Sequence, residues 1–178
     1  QITAGGGTNT ILGDDGKAVF FTDGAVNTIE SINLGNGAND TITLQNGRNI
    51  VITGAGSDTV SVGAGNATIL GDEGQYVVTR TTGTTTVTAQ VIETLNDAVG
   101  GNDTISATGG INLVMGGAGS DTITGTNPIS GAAPKFTVLG DSGRAEFDGA
   151  NQLLELFTKS ANTGAADTIQ LANADDII

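Results

Sequence analysis

One residue position governs what this chain can fold into. Asp40, Asn49, Asp58 and Ala67 stand nine residues apart, and two residues after each comes an aliphatic side chain: Ile42, Val51, Val60, Ile69. The series returns as Asp103, Asn112 and Asp121 with Ile105, Val114 and Ile123, and again as Asp167 and Asp176 with Ile169 and Ile178. Before the aspartates lie glycine-rich stretches, clearest in Gly54-Ala55-Gly56-Ser57-Asp58 and Gly116-Gly117-Ala118-Gly119-Ser120-Asp121. A nine-residue unit has room for one corner and one short strand. The corner is rich in glycine because a tight turn needs positive φ, which glycine reaches without a Cβ clash. The strand part, such as Asp121-Thr122-Ile123-Thr124, alternates polar and apolar as a strand with one buried face does. One corner and one strand cannot bury their own apolar side chain. Copies must therefore stack, each strand about 4.8 Å from the next. The expected architecture is all-β: a parallel β-roll or β-helix solenoid interrupted by β-hairpin insertions.

These residues resemble the RTX, or hemolysin-type, calcium-binding nonapeptide, Gly-Gly-x-Gly-x-Asp-x-aliphatic-x. The resemblance implies that two nonapeptides make one turn, so that residues eighteen apart stack. It also implies that Ca2+ sits between turns, held by aspartate carboxylates and glycine-loop carbonyls. The metal residues it points to are Asp40, Asp58, Asp103, Asp121 and Asp167, with Gly54, Gly56, Gly101, Gly117 and Gly119. Ion sites are expected between loops 35–40 and 53–58 and between loops 98–103 and 116–121. The stacking rule places these aspartates on one side and Asn49, Ala67 and Asn112 on the other. The next loop on the acidic side, 71–76, lacks an aspartate at the motif position but carries Asp72. Asp72, and by repetition Asp14 and Asp141, either adds a ligand or caps the ion row, or only fixes a turn by accepting backbone N–H groups. The Asn side reads differently. Asn49-Ile50-Val51-Ile52 and Asn112-Leu113-Val114-Met115 are apolar on both strand faces, so something must cover them outside. Asn can hydrogen-bond its neighbours without a cation. Arg48 beside it discourages a cation, or is simply a solvated surface residue.

The nonapeptides sit inside a longer repeat. Thr10-Ile-Leu-Gly-Asp-Asp-Gly16 recurs at 68–74 and 137–143, with Leu12, Leu70 and Leu139 spaced by 58 and then 69 residues. Between each such segment and the next Asp-Thr-Ile lies a stretch of hairpin texture. The expected organisation is an end of a preceding repeat unit (1–16), hairpin 1 (17–34), roll unit 1 (35–74), hairpin 2 (75–97), roll unit 2 (98–143), hairpin 3 (144–162) and the start of roll unit 3 (163–178). In hairpin 3, Leu153 to Phe157 reads as a strand or as a short helical turn. Pro128 and Pro134 mark a surface loop. Both ends fall inside a unit, which predicts one segment of a longer array or ends covered by another copy.

Composition narrows the function. Net charge is −13 with 29 glycines and no cysteine or histidine among 178 residues. Disulfides, Cys/His zinc sites and histidine-dependent triads are excluded. The acidity argues against nucleic acid and anionic membranes. No stretch reads as a signal peptide or is long and apolar enough to span a membrane. Arg48, Arg80 and Arg144 read as scattered loop residues without a basic cluster, and the carboxylates recur as a ladder rather than as a catalytic pair. The expectation is a non-enzymatic, calcium-stabilised segment of a secreted bacterial surface protein: an adhesin, biofilm-matrix fibre or S-layer protein exported by type I secretion, self-associating outside the cell. The alternative is a secretion or carbohydrate-binding appendage of an RTX toxin or polysaccharide-modifying enzyme. A third reading is an ice-binding face, with Thr41–Thr59 and Thr104–Thr122 supplying short ranks that the hairpins interrupt.

Overall fold

The computed structural model describes residues 1–127, 134–160, 164–172 and 176–178. The expected loop at Pro128 lies outside these residues; Pro134 directly precedes a strand. The described residues form strands and turns, with no helix.

Two parallel ladders arise from the nonapeptides. In the first, β1 (Ile2–Ala4), β5 (Thr41–Leu44), the first part of β7 (Thr59–Leu70), β10 (Thr104–Thr108), β12 (Thr122–Thr126) and β16 (Thr168–Leu171) pair in that order. In the second, β2 (Gly7–Leu12), β6 (Gly47–Ile52), the last part of β7, β11 (Ile111–Met115) and β13 (Lys135–Leu139) do the same. The chain lays one strand in each ladder per rung and then returns to begin the next. Residues eighteen apart pair where the path is uninterrupted, as Thr41 with Thr59 and Thr104 with Thr122. Where a hairpin intervenes the separation grows, as for Thr59 with Thr104.

Alternate side chains point between the ladders. Ile42, Val60, Ile105 and Ile123 meet Val51, Ile69, Val114 and Val138, and none is more than 1% exposed. The core is a row of such rungs, so few large residues are needed. β-Branched side chains fit it because they pack well on a pleated surface. Size is balanced within a rung. Gly125 follows Leu44, Val62 and Ala107 in its column, and on its rung Phe136 is buried. A Cβ on Gly125 would come under 3.0 Å from the Phe136 ring and from Leu171, so the glycine makes space for the aromatic.

The intervening segments form a second sheet. β3 (Gly16–Phe20) with β4 (Val26–Ser31), β8 (Gly74–Arg80) with β9 (Val87–Thr94), and β14 (Gly143–Asp148) with β15 (Leu153–Thr158) are antiparallel hairpins. Leu153 to Phe157 is thus strand, not the helical turn weighed above. The hairpins join through β4–β8 and β9–β14 into one six-stranded sheet. This sheet covers the outer face of the second ladder. Ile50, Ile52, Leu70, Leu113, Met115 and Leu139 pack against Ile29, Tyr76, Val78, Ile92 and Ala145. The doubly apolar strands therefore have their cover within the chain. Spacing explains the long repeat: a hairpin is two strands wide, about 9.5 Å, and so is a pair of rungs. One hairpin per two turns keeps both stacks in step.

The hairpins leave the first ladder open. Thr41, Thr59, Thr104, Thr122 and Thr168 line up in register on its outer face, all exposed, beside Thr43, Ser61, Ser106 and Thr124. The hydroxyl ranks are therefore continuous, contrary to the expectation that hairpins break them. The hairpins depart from the acidic turns and fold over the opposite ladder.

Gly125→Val is expected to destabilise the calcium-loaded fold by about 1–3 kcal/mol through overpacking. Pairing it with Phe136→Val should recover part of that loss, as measured by a denaturant double-mutant cycle.

Candidate metal centre

At one end of the rungs the chain turns from the second ladder back to the first. Two of these turns are continuous: Thr53 to Asp58 and Gly116 to Asp121. The other three are split by a hairpin. Gly13-Asp14 is completed by residues 37–40, Gly71-Asp72 by residues 100–103, and Gly140-Asp141 by residues reaching Asp167. This corrects the reading of 71–76 as a separate loop. Gly74 to Arg80 is strand, and the motif aspartate of that turn is Asp103, contributed after the hairpin.

The motif aspartates form a ladder. Asp58 Oδ1 accepts the Asp40 N–H at 2.6 Å and Asp103 Oδ1 accepts the Asp58 N–H at 2.7 Å. Asp121 accepts from Asp103, and Asp167 from Asp121, each at 2.8 Å. Each aspartate carbonyl then starts the next strand: Thr59, Thr104, Thr122 and Thr168 donate to Asp40, Asp58, Asp103 and Asp121. Position is thereby fixed by one carboxylate oxygen. The other is not matched. Oδ2 of Asp58, Asp103 and Asp121 is buried without a hydrogen-bond partner, and each of these residues is 1% exposed.

A charged oxygen without a partner in a dry site is costly. Burial pushes the Asp103 carboxyl up to about 9 and that of Asp121 to about 7, with neighbouring carboxylates adding to the rise. Burial also raises Asp58 and Asp167. These aspartates are set to take a cation or a proton.

Glycine shapes the space around those oxygens. A Cβ on Gly71 would come under 3.0 Å from both Asp103 Oδ2 and the Gly116 carbonyl oxygen. The same pairing recurs at Gly116, with Asp121 Oδ2 and the Gly140 carbonyl, and at Gly13, with Asp40 Oδ2 and the Thr53 carbonyl. Gly54 and Gly117 hold φ of 100° and 108°, and Gly56 and Gly119 hold 141° and 131°, values that exclude most side chains. Gly101 has a different reason to be glycine: a Cβ there would strike the Gly56 carbonyl.

Asp14, Asp72 and Asp141 occupy a second column, over Gly54 and Gly117 where those follow. Asp72 accepts backbone N–H groups on both oxygens, from Gly101 at 3.2 Å and Ala118 at 2.5 Å. It ties together the two halves of a turn that the hairpin has split, and burial pushes its carboxyl up to about 8. Asp14 accepts from Ala38 at 3.2 Å, but its Oδ2, like Oδ1 of Asp141, has no partner.

Sequence reasoning overlooked several residues. Asn39, Ser57 and Asn102 form an exposed outer ladder, accepting from Ser57, Asn102 and Ser120 backbone N–H groups. The signal was there: the residue before the motif aspartate is Asn or Ser in those turns. Buried Glu73 accepts from Gly35 and from Asn96, closing the hairpin bases. Thr53 stands where other turns have glycine.

The opposite end of the rungs carries mainly neutral asparagine. Asn9 donates to Asn49 at 2.8 Å, and Asn112 accepts the Ala67 N–H at 3.1 Å. Asp176 falls in this column, accepting the Phe136 N–H. Arg48, Arg80 and Arg144 stand on strands rather than in loops. Arg48 donates to the Tyr76 hydroxyl, Arg80 pairs with Asp23, and Arg144 meets Glu93, Glu146 and Glu155.

Among the described residues no three acidic side chains converge on one point. Any ion here must draw on main-chain carbonyls as well as carboxylates. That is a hard, all-oxygen donor set, suited to calcium and its six to eight oxygen ligands. Fold and site together define a stacked β-repeat protein with acidic cation-binding turns. The sequence model of the RTX calcium-binding nonapeptide repeat matches in four copies over residues 1–18, 34–74 and 97–127, just over half the chain. The chain belongs to this family, and calcium is the ion its repeats bind. No curated protein and no solved structure matches it.

Without calcium, stability should fall as pH rises. Asp72, Asp103 and Asp121 ionise near 3.8 when unfolded but near 8, 9 and 7 when folded, so between those values the folded chain holds more protons. Thermal midpoints in chelator are expected to be highest near the unfolded value and to decline towards about pH 9. A midpoint that climbs over that range would contradict the assignment.

Proposed function

We propose that this chain is a calcium-stabilised segment of a secreted bacterial surface protein, such as an adhesin, S-layer protein or extracellular matrix fibre. It is read as a β-roll solenoid that leaves the cell by type I secretion and folds on meeting calcium outside. The buried, unpartnered carboxylate oxygens at Asp103 and Asp121 carry the reading. In low calcium these like charges and the entropy of 29 glycines keep the chain loose. Calcium binding then becomes folding energy, because the turns form a site only when stacked. Family membership supports an extracellular setting, since RTX repeats typically occur in secreted proteins.

The role is structural rather than catalytic. The acidic ladder repeats without a distinct pair, and each arginine described above is engaged by a neighbour. Exposed Phe20, Leu154 and Phe157 on the outermost hairpin strands favour association with further repeats, on the same chain or another copy. Polysaccharide is a candidate surface partner.

The experiment is circular dichroism of the whole chain across a calcium titration. Chelator should abolish most of the β signal and calcium should restore it; an unchanged spectrum in excess chelator counts against coupled folding. The continuous Thr ranks favour one second reading, a flat hydroxyl face for a repeating ligand such as ice. Faceted crystal growth in a supercooled solution of the protein supports that reading, and unshaped discs dismiss it.

A further inference from the structure

The acidic turns are not equivalent, and the difference lies in one residue. Backbone hydrogen bonds place Gly13, Thr53, Gly71 and Gly116 at the same corner, their N–H groups donating in succession to Ile52, Leu70, Met115 and Leu139 of the next rung, and Gly140 follows Leu139 as Gly116 follows its partner Met115. At four of these corners the residue is glycine. Over three of the glycines the motif aspartate's Oδ2 and the next turn's carbonyl oxygen converge so closely that a Cβ would come under 3.0 Å from both. At Gly140 the same is true of Asp167 Oδ2. Only the second turn breaks the pattern.

There the corner residue is Thr53, fully buried at 0% exposure. Its hydroxyl donates to the Gly71 carbonyl and faces the Asp58 carboxylate. These are the equivalents of the two oxygens that elsewhere meet over bare glycine. The hydroxyl has a single proton, and both the Gly71 carbonyl and the Asp58 carboxylate draw on it. Thr53 also brings a Cβ and a methyl group into the space the other corners leave clear.

We propose that Thr53 plugs the cradle of the Asp58 turn, so that this rung takes no calcium ion and is joined to the next by the side-chain hydroxyl instead. The inference rests on the calcium reading of the other turns. It narrows the expected metal set by removing Asp58 as a ligand of an ion shared with the Gly71 turn. It also places a calcium-independent joint in the middle of the stack, between the turn of Asp58 and that of Asp103. Calcium needs six to eight oxygens in an open shell, whereas a hydroxyl needs only its two neighbours. In the folded stack the plug therefore joins two turns without a metal between them.

Calcium stoichiometry of the full chain, by equilibrium dialysis with elemental analysis, tests this. Thr53→Gly should bind one more ion per chain than the wild type. Thr53→Val keeps the shape but not the hydroxyl; it should bind the wild-type number while its thermal midpoint in calcium drops. Gly116→Thr, which installs the plug elsewhere, should bind one fewer. Circular dichroism in calcium confirms that each variant compared is folded. An unchanged count in folded Thr53→Gly overturns the proposal. So does an ion lost in folded Thr53→Val, because the hydroxyl would then be a ligand rather than a plug. A wild-type chain that binds no calcium at all would instead overturn the calcium reading on which the inference stands.

Discussion

Everything in this architecture hangs on how each motif aspartate divides its two oxygens. One accepts the backbone N–H of the aspartate one rung away, from Asp40 through to Asp121. That bond sets the rung spacing and locks the register of both ladders. The other oxygen is carried into the same dry interior with nothing to meet it at Asp103 and Asp121. The residue that pins the stack is thus also its main source of repulsion. A divalent cation removes the repulsion without disturbing the pin. Neutral asparagine would serve the first task alone, and the opposite side of the rungs uses that solution at Asn112, which accepts the Ala67 N–H.

The second constraint is geometric. Parallel rungs and antiparallel strands share one spacing, about 4.8 Å. A hairpin inserted at every second acidic turn therefore grows a second sheet at the same rate as the ladders. The insertion has a cost, since it opens the turn. Asp72 offsets that cost by bonding to Gly101 and Ala118, and Glu73 closes the hairpin bases. In return the apolar outer face of the second ladder is covered by Ile29, Tyr76, Val78 and Ile92. The uninterrupted turns at Gly54 and Gly117 need no such clasp and carry glycine there.

Much of this was legible in the residues. The period of nine fixes which aspartates share a side, and the doubly apolar Asn49-Ile50-Val51-Ile52 announces a covering layer. Three things were not legible. The hairpins interrupt the turns rather than follow them, so Asp103 completes the turn that Gly71 begins. Local sequence reads the same either way; only the pairing of Thr59 with Thr104 reveals it. The length of the Thr ranks depends on which ladder the hairpins cover, a tertiary fact. Thr53 hides because a threonine before Gly-x-Gly looks like the end of a strand. Its consequence appears only when the five corners are superimposed.

The most direct measurement is anomalous diffraction from crystals grown in calcium. The account predicts calcium peaks between the turns, within bonding distance of Asp103 Oδ2 and Asp121 Oδ2. A map at high resolution with those oxygens bonded only to water, or to protein donors, would contradict it.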